Sequence, residues 1–445
     1  MNKACKTSLM ILLVLITAVG VAFAGGQQEG AMEESEGPTT ITFLSWLKNQ
    51  EADVEALIAA FEDANPNIVV EHEIPIDNDA NEFLSKIDLM LASGEEADVV
   101  LQPNVSSHVA RAQRGVFIPL DPYAQAEGVD LDETYSVIIP VDQSVYGISA
   151  NSSPWYVMIN KDHLDEAGLP VPDMDWTWEE YREYAEVLTQ GQGANKRYGS
   201  YMHGWGFFNH LALFSTKLDT PYYKEDGSLN FDDPTFREFL EFKYEMENED
   251  ESQVPLFEVK ASQLAYMDMY TNERASMVPM GSWTLGLLQD KETYPHDFQT
   301  AIAAFPRWGD APAGRVPSGV TILSIAAQSE NPEEAYEFIR FYTTDGQQYR
   351  KTISTEIGAD NSAAVDAMLG ANPEQTFDVD SVLTFFNNRA DNVSVYTPPY
   401  HARIDQIFAE EAEKYMVGGQ TLDEAIENMI TRGEAVVEEW ESENS

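Results

Sequence analysis

Cysteine is nearly absent from this chain: there is one in 445 residues, at Cys5. That excludes a disulfide scaffold and any site built from several thiolates. Basic residues are scarce too. Lys and Arg total 26 against 76 Asp and Glu, a formal charge of −50. Nucleic acid and anionic lipid surfaces are both recognised through basic patches, so neither partner is expected. Long apolar runs are missing after the first two dozen residues, and no later segment reads as a membrane span. Core-forming residues are present in force. The chain is 43% apolar and holds 21 Phe, 20 Tyr and 8 Trp. That is ample for folding, and the length suggests two domains.

The first 24 residues read as a targeting segment. Lys3 and Lys6 form a basic start, Leu9 to Ala18 is almost wholly apolar, and Ala22-Phe23-Ala24 is a small-x-small cleavage site. The expectation is a secretory signal peptide over 1–24. A lipid-anchored precursor would carry cysteine directly after the cut, but Gly25 stands there. Residues 25–38 (GGQQEGAMEESEGP) offer little to bury and are expected to form a disordered leader.

The body of the chain alternates strand and helix patterns. Thr40 to Trp46 is β-branched and aromatic. Val54, Leu57, Ile58 and Phe61 share one helical face between Glu51 and Ala64, and Asn65-Pro66-Asn67 stops that helix. Ile68 to Ile74 is a second strand, Phe83 to Ser93 a second helix ended by Gly94, and Ala97 to Leu101 a buried strand. Asn104 is placed to cap the next helix. This β-α-β-α-β run predicts a mostly parallel sheet. Tyr146 to Ile148 reads as a strand, separated by the polar stretch 149–153 from another at Trp155 to Asn160. Thr177-Trp178-Glu179-Glu180 has capping-box spacing for a helix to Leu188. Asp226-Gly227 signals a turn, and Pro234 suits the first position of a helix. Met277 to Met280 and Thr321 to Ala326 read as strands, and Asn331-Pro332-Glu333-Glu334 opens a helix to Tyr342. The last third is helical and acidic, with 12 acids and 2 bases between Asp405 and Ser445.

Ligands of open α/β sheets gather beyond the carboxyl ends of strands. Trp46, Gln102 and Asn104 occupy such ends. Catalytic and metal signatures are missing: there is no His-Glu-x-x-His, no Gly-x-Ser-x-Gly and no phosphate-binding glycine loop. The seven histidines lack ligand spacing. Asp77-x-Asp79-x-Asn81 begins like a calcium loop, but Glu82 stands where glycine is required. No catalytic residue, metal or cofactor is expected.

Five stretches, in this order, resemble the family-1 extracellular solute-binding proteins, the periplasmic sugar-binding components of ABC importers. They are Phe61 to Ile68 (FEDANPNI), Leu91-Ala92-Ser93-Gly94 before Ala97 to Val100, and Tyr146-Gly147-Ile148 with Asn160-Lys161-Asp162. The other two are Glu273 to Trp283 (ERASMVPMGSW) and Asn331-Pro332-Glu333-Glu334-Ala335 to Phe341. The resemblance runs from about Thr40 to Trp440. It implies a two-lobe α/β periplasmic-binding-protein fold of the type II, maltose-binding-protein-like class, with ligand in the interlobe cleft. The lobes would be 39–152 plus 303–348 and 153–302 plus 349–445. It also implies a monomer working with transmembrane permease subunits. The missing anchor cysteine points to a periplasmic rather than a tethered protein.

Neutral sugars present hydroxyls and flat C–H faces, so aromatic platforms with polar handles are sought. Trp283 matches the family's cleft tryptophan, and Tyr400 falls where the family brings in a C-terminal aromatic. Trp46, Trp155 and Trp205 are further platforms. Gln102, Asn104, Asn151, Ser153, Ser318 and the backbone at Gly319 are the polar candidates, since amides and hydroxyls donate and accept at once. Asp77 to Asp79 is a loop cluster that reads more simply as a solvated turn. The implied function is capture of a mono- or oligosaccharide for an ABC permease. A polyamine is the alternative, since acidic surroundings suit a cation. A secreted glycoside hydrolase with paired carboxylates is a remote one.

Overall fold

Eleven strands are threaded through a mostly helical chain in the computed structural model, which is described here for residues 37–216, 221–224, 226–395 and 397–443. The expected signal peptide and nearly all of the expected leader lie outside the described residues. The strands are β1 Thr39–Leu44, β2 Ile68–Glu73, β3 Val99–Gln102, β4 Pro140–Val141, β5 Ser144–Val145, β6 Ile148–Asn160, β7 Tyr198–Ser200, β8 Ala275–Gly281, β9 Thr300–Ala303, β10 Arg315–Ile325 and β11 Ala390–Asn392.

The first half follows its sequence pattern closely. The helix Glu51–Ala64 buries Val54, Leu57, Ile58 and Phe61 along one face. It ends at Asn65, whose N–H returns to the Phe61 carbonyl. The helix expected from Phe83 begins earlier, at Ala80. Asp79 caps it, its carboxylate accepting from the N–H groups of Asn81 and Glu82 at 2.9 and 2.8 Å. Gly94 closes that helix at φ 79, a conformation that suits glycine. Asn104 caps Val105–Gln113 by accepting from Ser107 N–H. The Thr177 capping box is complete, and its helix spans Trp178–Leu188.

Strand direction is mixed. β1 runs parallel to β2 and β3, as the β-α-β-α-β pattern requires. Beyond them β3 pairs antiparallel with β10, and β10 antiparallel with β6. The expected mostly parallel sheet therefore holds for β2, β1 and β3 and recurs only where β7 pairs with β8 and β11 with β10, while the pairs through β6 and from β3 to β10 are antiparallel. A late strand returning from elsewhere in the chain is free of the crossover constraint that makes consecutive βαβ strands parallel.

The largest departure is β6. The polar run Ser149 to Ser153 does not interrupt two strands; it is the middle of one 13-residue strand. Residues 148–154 pair with β10, and residues 155–160 pair with β8 and β9. Ile148 and Ala150 belong to one apolar core, which includes Ile41, Phe43 and Phe338. Trp155 to Ile159 belong to another, with Trp178, Met277 and Phe385. The polar side chains of this passage are satisfied by hydrogen bonds. Ser149 Oγ donates to the Val137 carbonyl at 2.9 Å, and Thr355 Oγ1 donates to the Ser149 carbonyl at 2.8 Å. β10 makes the same passage: Val316 lies in the second core, while Leu323 and Ile325 lie in the first.

Candidate functional site

β6 and β8 pair so that Trp155 lies opposite Gly281. A Cβ on Gly281 would stand 1.9 Å from the Trp283 ring. Glycine here lets the indole fold back over the strand end. The ring then meets Trp155 edge-on, centroids 5.0 Å apart at 82°, and its Nε1–H donates to Tyr266 Oη at 3.2 Å. Trp205 and Phe207 complete the group, with centroids 6.2 and 5.0 Å from Trp155. They flank Gly206, where a Cβ would come within 2.9 Å of Ala409, so glycine seats this turn on the helix His401–Met416. Trp155 is rooted in the core, whereas Trp205, Phe207, Tyr266 and Trp283 are half-buried. The result is an aromatic platform whose outer members are partly open to solvent.

His203 also belongs here and was missed in the sequence. Its ring stands perpendicular to Trp205 at 4.7 Å and lies 5.6 Å from Tyr266. Burial lowers its pKa to about 4, so it is neutral near pH 7. The available signal was the alternation Tyr201-x-His203-x-Trp205, which carries no weight until Tyr266 is brought alongside.

A polar row continues from the platform. Facing residues of an antiparallel pair share a side of the sheet. Ser153 lies opposite Gly319 and Asn151 opposite Thr321, so these four share the side on which Trp155 follows. Asn151 Nδ2 donates to Ser153 Oγ at 3.2 Å, and Thr321 Oγ1 donates to Asn151 Oδ1. A Cβ on Gly319 would meet nothing within 4 Å, so the row opens to free space at Gly319, while Asn151 is buried.

Five expected residues lie apart from this group. Ser318, one position before Gly319, falls on the reverse side by strand alternation. Its hydroxyl bonds Ser152 Oγ at 2.6 Å, beside a cavity of about 720 Å³ lined by Ser152, Ile353, Glu356, Arg389 and Asp391 among others. Tyr400 does not reach the platform. It is buried in a separate core against Tyr223 and Trp440, because the helix His401–Met416 begins directly after it. Gln102 is fully buried, its amide donating to the Leu101 carbonyl, so it presents nothing outward. Asn104 is exposed, but its side-chain oxygen is taken by the helix cap. Trp46 is half-buried on Phe83 at 5.3 Å, in a loop whose Trp46 carbonyl accepts from Asn78 N–H at 2.9 Å. No hydrogen bond or ring contact among the described residues joins Trp46, Gln102 or Asn104 to the Trp155 group. The calcium-like pattern dissolves too: Asp79 is a helix cap, and Asp88, the twelfth position counted from Asp77, is gripped by Arg111 with two bonds of 3.0 and 2.9 Å. Among the described residues no group of three or more His, Cys, Asp or Glu is placed to hold a metal.

Residues 47–349 match the model of the bacterial extracellular solute-binding protein family. The chain belongs to this family. Its calling is therefore solute binding rather than catalysis, and the hydrolase alternative is dropped. The solute-binding protein is 24% identical over 343 residues to the multiple sugar-binding protein of Streptococcus mutans, covering 75% of this chain and 78% of that one. Among solved structures it resembles a sugar transporter of Rhizobium etli in an open conformation, with a TM-score of 0.71 and 22% identity over 88% of this chain and 98% of that one. It also resembles maltose-bound MalE3 of T. maritima, with a TM-score of 0.68 and 18% identity over 88% and 98%. The fold is thus the mixed α/β fold of maltose-binding-protein-like binding proteins. No helix among the described residues is long and apolar enough to cross a membrane.

Proposed function

We propose that this protein is an extracytoplasmic receptor that captures a neutral mono- or oligosaccharide and delivers it to an ABC permease. One observation carries the reading: in a solute-binding chain, Trp155 from the middle of β6, Trp205 and Phe207 from the segment after β7, and Trp283 just past the end of β8 build one aromatic platform. Indole faces match the C–H faces of a pyranose, and the adjoining row of Asn151, Ser153 and Gly319 supplies donors and acceptors for hydroxyls. The ligands named for the relatives, sugars and maltose, support the same class. A polyamine is disfavoured, since among the described residues the side chains that bond or pack on the platform are indole, phenol, phenyl and imidazole groups, with no carboxylate to hold an ammonium.

The two lobes are proposed as 39–152 plus 303–348 and 153–302 plus 349–445. The core division along β6 supports the first boundary, while the burial of Ala303, Phe305 and Val316 with Trp155 favours moving the second into β10. The N-terminal segment directs export to the periplasm, where the receptor acts as a monomer without nucleic acid. Tryptophan fluorescence titration of the purified protein tests the ligand class, using glucose, maltose and mannobiose beside putrescine and spermidine. Saturable sugar responses are expected. A response to the polyamines alone would overturn the carbohydrate reading.

A further inference from the structure

Within the aromatic group, the direction of one hydrogen-bond chain is fixed. Tyr201 Oη lies 2.6 Å from the Leu264 carbonyl oxygen and 2.8 Å from His203 Nδ1. A carbonyl only accepts, so the phenolic proton goes to Leu264. The Tyr201 oxygen then accepts from His203, which puts the imidazole proton on Nδ1. The rings packed on His203 belong to Tyr201, Trp205, Phe208 and Tyr266, none charged near neutral pH, and burial keeps the imidazole neutral. Nε2 is therefore a bare acceptor. Nothing among the described residues donates to it, and it is not one of the polar atoms sealed from solvent. Tyr266 supplies the opposite polarity. Its oxygen accepts from Trp283 Nε1–H, which leaves its own proton to donate, and its ring centroid is 5.6 Å from that of His203.

We propose that His203 Nε2 is the specificity-determining acceptor of this site, taking the proton of one ligand hydroxyl while Tyr266 donates to a neighbouring ligand oxygen. The proposal rests on the carbohydrate reading above and narrows it. A lone pair that cannot be protonated near neutral pH accepts a hydroxyl proton but repels an ether oxygen or a carboxylate. The ligand class is then a sugar with a free hydroxyl at this point, and methylation or deoxygenation there is penalised.

The test has two parts. Nitrogen-15 NMR of the full-length protein reads the tautomer without any ligand: a proton on Nδ1 and a bare Nε2 are expected, and a proton on Nε2 would overturn the proposal. Calorimetric titrations with glucose, maltose and mannobiose then compare wild type with His203→Phe and Tyr266→Phe. Each substitution should weaken the best of the three sugars about tenfold or more, the scale of one hydrogen bond lost in a desolvated site. One monodeoxy analogue of that sugar should bind wild type correspondingly weakly and lose no more than twofold further in His203→Phe. His203→Gln, which keeps an acceptor, should recover part of the loss. If His203→Phe does not fold, the same deoxy and O-methyl series on the wild type decides, and equal affinities across it would overturn the assignment. Wild-type binding of a sugar with less than twofold change in a folded His203→Phe would overturn the His203 role alone. Binding of none of the three sugars would overturn both readings.

Discussion

Gly281→Ala is a one-carbon change with a calculable consequence. The new Cβ would lie 1.9 Å from the Trp283 ring, whereas ordinary contact begins near 3.4 Å. The indole must therefore retreat by at least about 1.5 Å, since the opposing atoms on the strand are backbone. A move of that size breaks the 3.2 Å bond from Nε1 to Tyr266 and the edge-to-face contact with Trp155. The bond is worth about 1 kcal/mol, and the aromatic pair adds about 0.5–1.5 kcal/mol. The expected loss is about 1.5–2.5 kcal/mol, within the usual range for overpacking. Urea unfolding followed by far-UV circular dichroism measures it. The decisive comparison is a double-mutant cycle with Trp283→Ala. Once the indole is gone, Gly281→Ala should cost less than about 0.5 kcal/mol, because alanine suits a strand no worse than glycine. An equal cost in both backgrounds would refute the claim that glycine is there to admit the ring. Sugar-induced change in tryptophan emission should fall with Gly281→Ala in parallel.

Three further outcomes are expected. Thr177→Ala removes the acceptor for Glu180 N–H and with it half of the capping box, lowering stability by about 1 kcal/mol in urea titrations; no change would mean that the helix start is held by packing alone. Burial holds the pKa of His210 at about 3 and that of His108 at about 4. Both are below the ordinary value near 6.5, so the unfolded chain takes up protons first as the pH falls. Their contribution is complete above about pH 6.5 and is lost towards pH 4; His210→Phe should flatten this slope, and an unaltered slope between pH 5 and 7 would count against it. The charge of −50 is spread over helix faces and the tail, so self-repulsion should be screened by salt. Thermal midpoints should rise from low to molar NaCl, and a flat or falling series would show that repulsion is not what limits stability.

Periodicity, capping chemistry and proline placement made most of the helices legible. Glu51–Ala64, Trp178–Leu188 and Pro234–Asn248 were all marked by local signals, because caps and apolar faces act within a few residues. The start at Asp79 was available too, but its acidic cluster read as a turn. β6 was not legible as one strand. Its polar centre looks like a break until β10 and Thr355 are there to bond it. Nor could the sequence sort the candidate site. It pointed to Trp155, Trp205 and Trp283 by type and position, and the structure brings these three together. It also offered Ser318, Gln102 and Tyr400, which alternation, burial and a neighbouring helix turn elsewhere. His203 shows the limit most plainly. What a side chain can offer a ligand depends on which of its atoms are already engaged, and Tyr201, Leu264 and Tyr266 meet it only in the folded chain. The sequence alone determined the family, most of the helices and the acidic character, since these follow from local residue types. The tertiary structure decided which aromatics share a platform and which polar atoms remain unspent, because both are properties of contacts between distant segments.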